Sequence, residues 1–551
     1  MKKYLLYSII AVVGLGISGC KSWMDINENP NDANENVMTE SMLLSAQQYR
    51  ILNNNVNSTN AWLLSHHLTK SGEVSGNYTF LNGQIMPQNL DDWWTNYYTG
   101  NKNLKAIYDK AVANENKAYQ GVAELLMIVN FQRVVDIWGD APYSQALDPK
   151  TYAQPAYDDD AAIYADLIAR ADNAIANLES VADSHTDGEF SRVDIMCYGD
   201  LHQWVRLAYT IKLRLLMRVS MVQDVSAQVT AIENKCLGFN ENINANPGYL
   251  PETDKMNILY ERYGWDKNGG RNNNHRYFSP TSQLVDLLKN TNDPRLRVYA
   301  DPRRQLGNAG DEFSNYSKFG LENDYYIGIP YGSQNPSGEK WVSNTGMGLL
   351  VGGPDHNTGR VRASTFVAGS EVAFLLAEAA LRGIIPGGDA KAKQYYEAGV
   401  ASAMKRHENA LKATGYTLPI NPNMDAHMLP PISGTAEEAA ADFLSQNNAS
   451  VNWALMSSTD EKMNAICTQR WLAFVGYNPL EAWFEQRRTD LPHLTAAHWS
   501  DKNQNVCRCP YPQTERNLNM ANIAEKDMDI FNSLVFWDKE NPVVDRTELY
   551  L

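Results

Sequence analysis

The sequence predicts one large, mainly α-helical domain with long loop insertions and little β structure. Apolar residues with helical spacing recur in several segments of the 551-residue chain, and long stretches without that spacing separate them. No low-complexity tract or obvious linker divides the chain. Its composition, 44% hydrophobic and 20% charged, is that of a globular protein and argues against a disordered chain or a polytopic membrane protein.

The first residues have the pattern of a secretory signal. Lys2 and Lys3 precede an uncharged, mostly apolar run over residues 4–17, which is too short to span a bilayer comfortably. The run ends in Ile17-Ser18-Gly19-Cys20, which is similar to a bacterial lipobox with Ile in place of the more usual Leu. We expect a lipoprotein signal peptide over residues 1–19 and a lipid anchor on Cys20. An ordinary signal peptide that happens to end near a cysteine is the alternative.

The next segment is polar and rich in asparagine, and Pro30 lies between two asparagines that disfavour regular structure. We interpret residues 20–38 as a lipidated N-terminal tether. Residues 39–551 then form a single domain, with no second domain boundary visible in the composition.

The helices are predicted from the spacing of apolar residues and from residues that begin or end helices. The stripe Ala123, Met127, Phe131, Val134 and Trp138 defines one helix, which Gly139 and Pro142 terminate, and apolar residues on its other faces indicate burial in the core. Further helices are expected over residues 201–219, 461–474 and 479–487, together with an αα-hairpin formed by 370–381 and 389–405, where Ser370 and Asp389 could act as caps. We interpret Arg206, Arg214 and Arg218, which lie off the 201–219 stripe, as a solvated or ion-paired helix flank, in preference to an anion site.

The long stretches between helices, residues 70–89, 240–278 and 302–361, contain many Gly, Asn, Tyr and Trp residues. The chain has 29 Tyr and 13 Trp against 14 Phe, and aromatic rings with a polar group suit surfaces that contact polar ligands. Loops of this length inside a compact domain are usually functional or disordered, and their aromatic content argues against disorder. The formal charge of −16 argues against general nucleic-acid binding.

The sequence shows no recognisable catalytic or metal-binding motif. It has no P-loop, no H-E-x-x-H and no G-x-S-x-G. Glu481 and Glu485 are weak candidates for the acids of a glycosidase, and helix-surface acids beside Arg487 and Arg488 are the preferred interpretation. The run Asp158-Asp159-Asp160 is compatible with a structural calcium site. Acids at the start of a helix, where they interact favourably with the helix dipole, account for it at least as well. The remaining cysteines are expected to be buried or idle thiols: Cys197, Cys236, Cys467, Cys507 and Cys509.

Several distinctive motifs occur in order along the whole mature chain. They are Asp25-Ile26-Asn27-Glu28-Asn29-Pro30-Asn31, Gly139-Asp140-Ala141-Pro142-Tyr143 with Ser144, Ala146 and Leu147, Asp293-Pro294-Arg295-Leu296, Ala377-Glu378-Ala379, Gln469-Arg470-Trp471, Glu481-Ala482-Trp483, Arg487-Arg488-Thr489 with Pro492, and Arg508, Pro510, Tyr511, Pro512, Glu515 and Asn517. Together they resemble the motifs of the SusD/RagB family of Bacteroidetes outer-membrane lipoproteins, in particular its SusD-like nutrient-binding branch. One departure from the family pattern is Cys509 between Arg508 and Pro510.

The resemblance implies a scaffold of TPR-like helix pairs whose long loops form the binding face. It implies capture of an oligosaccharide, or in some relatives a peptide, with no catalysis and no cofactor. It also implies a location at the outer membrane, with a lipid anchor and surface exposure, and a partner, a SusC-like TonB-dependent outer-membrane transporter. The identifying motifs mark the scaffold, so no ligand contact is carried over from the family by position.

We selected ligand contacts from the loops by residue type. Trp265, Tyr277 and Trp341 are proposed to stack on sugar rings, and Asn77, Tyr78 and Asp266 to add polar contacts. For each aromatic residue, packing of its own loop against the scaffold is the alternative. Two other functions remain open: a surface endo-glycosidase, and an adaptor that holds protein partners without binding a ligand.

Overall fold

A computed structural model describes the protein over residues 39–56, 58–71, 79–184, 188–268, 272–300, 326–333, 350, 356–413, 430–497, 500, 502–524 and 528–546. Helices dominate this part of the chain, and the predicted mainly α fold with little β structure is confirmed. None of its helices is long and apolar enough to cross a membrane. The predictions for residues 1–38, including the lipid anchor on Cys20, lie outside the described residues.

The helices of the N-terminal half are α1 (Glu40–Val56), α2 (Thr59–Leu64), α3 (Asp91–Ala113), α4 (Lys117–Trp138), α5 (Asp160–Glu179), α6 (Gly188–Val193), α7 (Leu201–Val219), α8 (Ser226–Ile232), α9 (Ile258–Tyr263), α10 (Asn273–Tyr277), α11 (Ser282–Asn290) and α12 (Leu296–Tyr299). Those that follow are α13 (His356–Val361), α14 (Gly369–Leu381), α15 (Gly388–Lys405), α16 (Glu408–Lys412), α17 (Ala436–Leu444), α18 (Thr459–Ala473), α19 (Pro479–Thr489) and α20 (Gln513–Leu518).

Within the described residues the strands are short and pair in antiparallel twos. They are β1 (Leu68–Lys70), β2 (Ala141–Pro142), β3 (Tyr157–Asp158), β4 (Asn242–Ala245), β5 (Phe278–Pro280) and β6 (Ser364–Ala368). The pairs are β1 with β5, β2 with β3, and β4 with β6, which has a register shift between Ile243 and Asn244. None of the six strands lies within a helix that the sequence predicted.

Neighbouring helices pack as hairpins, α3 on α4, α4 on α5 and α14 on α15. The centre of the N-terminal half is α4, which is buried from Ala118 to Trp138, as its apolar residues on every face predicted. The helix ends where Gly139 adopts a φ of +74°, a conformation that a side chain would strain, and a Cβ there would lie 2.9 Å from the Arg508 guanidinium. Gly139 is therefore required both for the turn and for the approach of Arg508.

The predicted hairpin over residues 370–405 is present, but its caps differ from the prediction. Ala368 occupies the N-cap position of α14 and Gly387 that of α15, so Ser370 and Asp389 lie inside the first turns. The helices predicted at residues 201–219, 461–474 and 479–487 are confirmed with end shifts of at most two residues.

Buried arginines and carboxylates from separate helices form a connected set in the interior, which we call the buried ion network. Oε2 of Glu378 on α14 lies 2.7 Å from Nη1 of Arg470 on α18 and 2.6 Å from Nη2 of Arg488 on α19. Both arginines also reach Glu485, at 2.9 and 2.7 Å. The network consists of Asp136, Arg214, Arg218, Glu371, Glu378, Arg470, Glu481, Glu485 and Arg488.

The interpretation of Arg206, Arg214 and Arg218 as a solvated or ion-paired flank of α7 is right about the ion pairs but wrong about solvent exposure for two of the three. Arg206 does pair with Glu241 at 2.6 Å on the partly exposed side of α7. Arg214 and Arg218, however, are 1% and 0% exposed and are paired in the interior. Sequence spacing put them off the apolar stripe of α7, but α14 and α19 cover that face and supply acids to it.

The electrostatics of this interior differ among its acids: burial raises the pKa of Asp136 and of Glu371, whereas nearby arginines lower the pKa of Glu378 and of Glu485. Burial acts to raise the pKa of Glu378, but the charges of Arg488 and Arg470 hold that pKa well below its usual value. Burial opposes ionisation of Glu485 in the same way, and Arg470, Arg488 and Arg218 bring its pKa to about 2. A buried charge is tolerated only while its partners remain in place, so removal of one member leaves the others uncompensated.

We predict that Glu378→Gln lowers the free energy of unfolding by about 3–5 kcal/mol, because Arg470 and Arg488 lose one of the two buried carboxylates that they share. Equilibrium denaturation with guanidinium chloride measures the change. Glu437→Gln is the matched control, since Glu437 pairs with Lys405 at an exposed site and its loss should change the free energy by less than about 1 kcal/mol. Equal effects of the two substitutions would contradict the prediction.

Candidate functional site

An open, polar cavity of about 380 Å³ lies where the end of α1 approaches the starts of α2 and α3. Helices α9 and α10 and the first residue of β5 complete its wall. We call it the asparagine-rich cavity, and its lining residues are Asn53, Asn54, Ser58, Thr59, Asn60, Trp93, Asn96, Tyr97, Arg262, Asn274 and Phe278.

The local sequence explains why amides collect here. Five of the eight residues over 53–60 are asparagines, and this run ends α1, passes Ser58 and begins α2. Asparagine suits such a connection because its short side chain tolerates turn conformations and bonds to nearby backbone. Ser58 has an extended backbone and makes no side-chain capping bond to α2. The break between two helices thus places amide and hydroxyl groups in the cavity.

Two side chains of the cavity wall, those of Asn96 and Thr59, are held by hydrogen bonds to neighbouring residues. Arg50 donates from Nη1 to Oδ1 of Asn96 at 3.2 Å, and the Tyr263 hydroxyl donates to Oγ1 of Thr59 at 3.2 Å. Burial raises the pKa of Tyr263 to about 12, so its hydroxyl remains protonated at neutral pH. The described lining residues are neutral except for Arg262, which is an exposed cation at the rim of the cavity.

Asn54 has a donor without a protein partner in the described part of the chain. Its Nδ2 atom is buried and makes no hydrogen bond. A buried donor left without an acceptor costs about 1–3 kcal/mol, so a water molecule or a ligand hydroxyl at this position would be stabilised.

Trp93 gives the cavity a flat apolar surface. The ring is partly buried, and its centroid lies 6.4 Å from that of Phe80. Asn96 follows three residues later on α3, a spacing that places the amide beside the ring on one helix face. A partly accessible aromatic face beside fixed amides suits a ligand with apolar C–H faces and hydroxyl edges.

Comparison with protein families identifies the chain. The SusD-like_2 model, described as "Starch-binding associating with outer membrane", matches residues 30–512. The chain belongs to the SusD-like family. The family assignment made from the sequence motifs is confirmed, and the motifs at Gly139, Asp293 and Arg487 lie within the matched range.

Solved structures show the same fold. A SusD homolog from Bacteroides fragilis NCTC 9343 is 19% identical, with a TM-score of 0.69, and the match covers 91% of this chain and all of the other. A SusD/RagB family protein from Bacteroides thetaiotaomicron VPI-5482 gives 19% identity and a TM-score of 0.69, covering 91% and 99%. A chitin-binding SusD homolog from Flavobacterium johnsoniae is 19% identical, with a TM-score of 0.63, and the match covers 91% of this chain and 99% of the other. No curated protein matches the sequence.

Trp265 lies in the interior of this SusD-like chain. It is 2% exposed, and its ring packs on His275 of α10, with centroids 4.6 Å apart, and on Tyr260 of α9 at 6.2 Å. In this packing the ring joins the two helices that border the asparagine-rich cavity and offers no open face. A ligand would reach Trp265 only if it left these neighbours, so we now favour a supporting role for it.

Asp266 and Tyr277 lie on the same segment as Trp265. Asp266 is exposed, and its carboxylate accepts the Asn268 N–H at 2.7 Å while its backbone carbonyl accepts Nη2 of Arg360 at 3.1 Å. Tyr277 is partly buried at the end of α10, between Asn274 and Phe278 of the cavity wall. Trp341, Asn77 and Tyr78 lie outside the described residues.

Sequence inspection missed Trp93, Asn96 and the asparagines that end α1. The available signal was the density of asparagine over 53–60, together with Trp93 near the start of a helix. The contacts predicted from the sequence lie in long loops, whereas these groups lie at helix ends.

Glu481 and Glu485 do not resemble an accessible catalytic pair. They are 1% and 4% exposed, and both belong to the buried ion network. The preferred interpretation, helix-surface acids beside Arg487 and Arg488, is confirmed only for the pair of Glu485 with Arg488. Glu481 pairs with Arg218 instead, and neither acid lies on the helix surface. A substrate would have to open the helix packing to reach them.

One acidic group could hold a cation by its geometry. Ligand atoms of Asp140, Asp159 and Asp160 lie within 4.8 Å of one another. Each of the three carboxylates already accepts a backbone N–H. Asp159 accepts the N–H of Ala162 and so caps the start of α5, as the helix-start interpretation predicted. Burial and the two other acids raise the pKa of Asp160 to about 6.

The five cysteines of the domain are buried thiols. Cys197, Cys236, Cys467, Cys507 and Cys509 are all free and buried, as expected. Burial raises the pKa of Cys507 and of Cys509 to about 12, so neither thiol ionises at neutral pH.

We predict that Trp265→Ala lowers the free energy of unfolding by about 3–5 kcal/mol, because a fully buried aromatic ring is replaced by a cavity. Chemical denaturation of the folded protein measures the loss. Tyr152→Ala removes an exposed tyrosine and should change the free energy by less than about 0.5 kcal/mol. A loss below about 1 kcal/mol for Trp265→Ala would contradict the packing role.

Proposed function

We propose that this SusD-like chain is a non-catalytic, cell-surface nutrient-binding lipoprotein that captures a glycan in the asparagine-rich cavity. A peptide ligand, as in some relatives, is the second candidate. The starch-binding description of the family and the chitin-binding relative both support a glycan.

The combination of Trp93 with a wall of neutral amides carries the proposal. A sugar ring presents C–H groups that can lie on the indole face and hydroxyl groups that both donate and accept hydrogen bonds. Amides supply both functions in one side chain, and the unpartnered Nδ2 of Asn54 offers a donor for a ligand oxygen. A peptide would also find these partners, but the rim cation Arg262 then favours one that is acidic.

Tyr277 extends the proposed contact surface along α10, and Asp266 lies on the adjoining exposed turn. Trp341, Asn77 and Tyr78 remain predicted contacts from the loops. We propose that Trp265 holds α10 in place and acts on the ligand only through that helix.

The proposed setting is the outer membrane, where the family is described as associated. We propose that Cys20 carries the anchor and that the chain passes its ligand to a SusC-like TonB-dependent transporter. Two or more acyl chains are needed for stable attachment, which is the form that a bacterial lipoprotein cysteine usually takes.

We predict that Trp93→Ala weakens glycan binding about tenfold, equivalent to about 1.4 kcal/mol, because the stacking surface is lost. Isothermal titration calorimetry against maltooligosaccharides, chitooligosaccharides and short peptides measures binding by the full-length protein in detergent. Tyr152→Ala, an exposed tyrosine outside the cavity, is the matched control and should bind as the unsubstituted protein does.

The same panel separates the alternatives. Unchanged binding by a folded Trp93→Ala protein would exclude the asparagine-rich cavity as the glycan site. Release of reducing ends from a polysaccharide would select a glycosidase. Flat titrations, combined with capture of a large β-barrel protein from outer membranes, would select an adaptor.

We predict that Cys20→Ala moves the protein from the outer-membrane fraction to the soluble fraction, because the only proposed point of lipid attachment is removed. Membrane fractionation followed by immunoblotting measures the distribution. Cys197→Ala, which removes a buried cysteine of the domain, should leave the distribution unchanged. Retention of Cys20→Ala in the outer membrane would overturn the anchor assignment.

A further inference from the structure

A second pocket, of about 330 Å³, lies beside the β4–β6 pair. The residue before α9, the junction of α15 with α16 and the turn after α18 contribute its other walls. We call it the basic pocket, and its lining residues are Asn242, Asn244, Asn257, Leu259, Leu350, Arg362, Ala363, Ser364, Thr365, Lys405, Arg406, His407 and Gly476. It shares no lining residue with the asparagine-rich cavity.

Positive charge is concentrated in this pocket. Arg362, Lys405 and Arg406 line it, and the described lining contains no carboxylate. Lys405 is partly neutralised from outside by Glu408 at 3.0 Å and Glu437 at 3.2 Å. A basic concavity on a chain with a formal charge of −16 is a local departure from the overall charge balance.

The two arginines are held by neutral groups. Arg406 donates from Nη2 to the carbonyls of Ala473 and Val475, at 2.5 and 3.2 Å, and its guanidinium lies 4.4 Å from the centroid of Tyr477. Arg362 donates to the Leu350 carbonyl. Burial, with Arg406 as the second cause, lowers the pKa of Arg362 to about 10. Two guanidiniums in the same pocket therefore repel each other without an acid between them.

Further donors point to an acceptor-only ligand. Oδ1 of Asn242 accepts the Gly369 N–H at 3.2 Å, and because a backbone N–H can only donate, the free end of this amide is its NH₂ group. Oδ1 of Asn244 accepts the Thr365 hydroxyl at 2.9 Å.

Buried nitrogens of the pocket also lack partners in the described part of the chain. His407 is 7% exposed, and its Nε2 atom makes no hydrogen bond. Nε of Arg406 is buried and unpartnered as well. Burial and then the charges of Arg406 and Arg362 hold the pKa of His407 well below its usual value, so the imidazole is neutral and Nε2 can be either donor or acceptor.

We propose that the basic pocket binds an oxyanion, a carboxylate, sulfate or phosphate group, between Arg362 and Arg406 with help from the Asn242 amide. Guanidinium groups match the geometry of such anions, and an anion here would relieve the repulsion between the two arginines. The group comes either from an acidic sugar, as a uronate or sulfate ester, or from a free inorganic ion.

The position of the pocket relates it to the proposed function without depending on it. Asn257 caps the start of α9 and lines the basic pocket, while Arg262 near its end lines the asparagine-rich cavity. Five residues of helix span about 8 Å along the axis. An acidic glycan could therefore be recognised at two sites that share one short helix.

Calorimetry tests the proposal with inorganic sulfate, inorganic phosphate and glucuronate, with glucose as the neutral reference and sodium chloride holding the ionic strength constant. The full-length protein in detergent should bind at least one of the three anions saturably and glucose more weakly. Arg362→Gln should weaken that binding at least tenfold. Arg192→Gln, which removes an arginine that is 74% exposed, is the matched control and should remain within twofold.

Binding of glucuronate alone assigns the site to an acidic sugar, and binding of sulfate or phosphate assigns it to an ester or free ion. Circular dichroism checks that Arg362→Gln is folded. If it is not, Lys405→Gln removes another cation that lines the pocket, at an exposed side chain, and should weaken anion binding instead. The absence of saturable anion binding, or full binding by the folded variant tested, would overturn the proposal. Trp93→Ala should retain anion binding, so failure of the glycan site and of this site are distinguishable.

Discussion

The buried ion network is the interaction on which the rest of the structure depends. Helices far apart in the chain meet because their buried arginines and carboxylates need charged partners once they leave water. Glu378 on α14 pairs with Arg470 and Arg488 at 2.7 and 2.6 Å, and Arg382 adds a third contact at 2.9 Å. This requirement fixes the relative positions of α14, α18 and α19 more specifically than apolar contact, which tolerates sliding, could do.

The proposed glycan site is attached to that fixed frame. Trp471 of α18 donates its indole N–H to the Ser65 carbonyl at 2.9 Å, directly after α2, and the Trp471 carbonyl lies 3.1 Å from Nε2 of His67. Thr59 and Asn60 at the other end of α2 line the asparagine-rich cavity. A rigid helical frame therefore presents amides from a connection that would have no fixed geometry alone.

The two pockets differ in the chemistry that they offer. The asparagine-rich cavity combines neutral amides with the face of Trp93, which suits hydroxyl groups and apolar C–H surfaces. The basic pocket combines Arg362 and Arg406 with amide donors, which suits an acceptor-only group. Both are supported by α9, so the segment that the sequence showed as an irregular loop organises two distinct surfaces.

The sequence by itself determined the family and the main helices. The stripe ending at Trp138 and the stop at Gly139 specified α4, because helical spacing and a positive φ are local properties. Only the tertiary structure decided that Glu481 is buried, and that Trp265 is packed while Trp93 lines a cavity. The reason is physical: burial and access depend on which distant segments cover a side chain, and residue type and spacing carry no record of that cover.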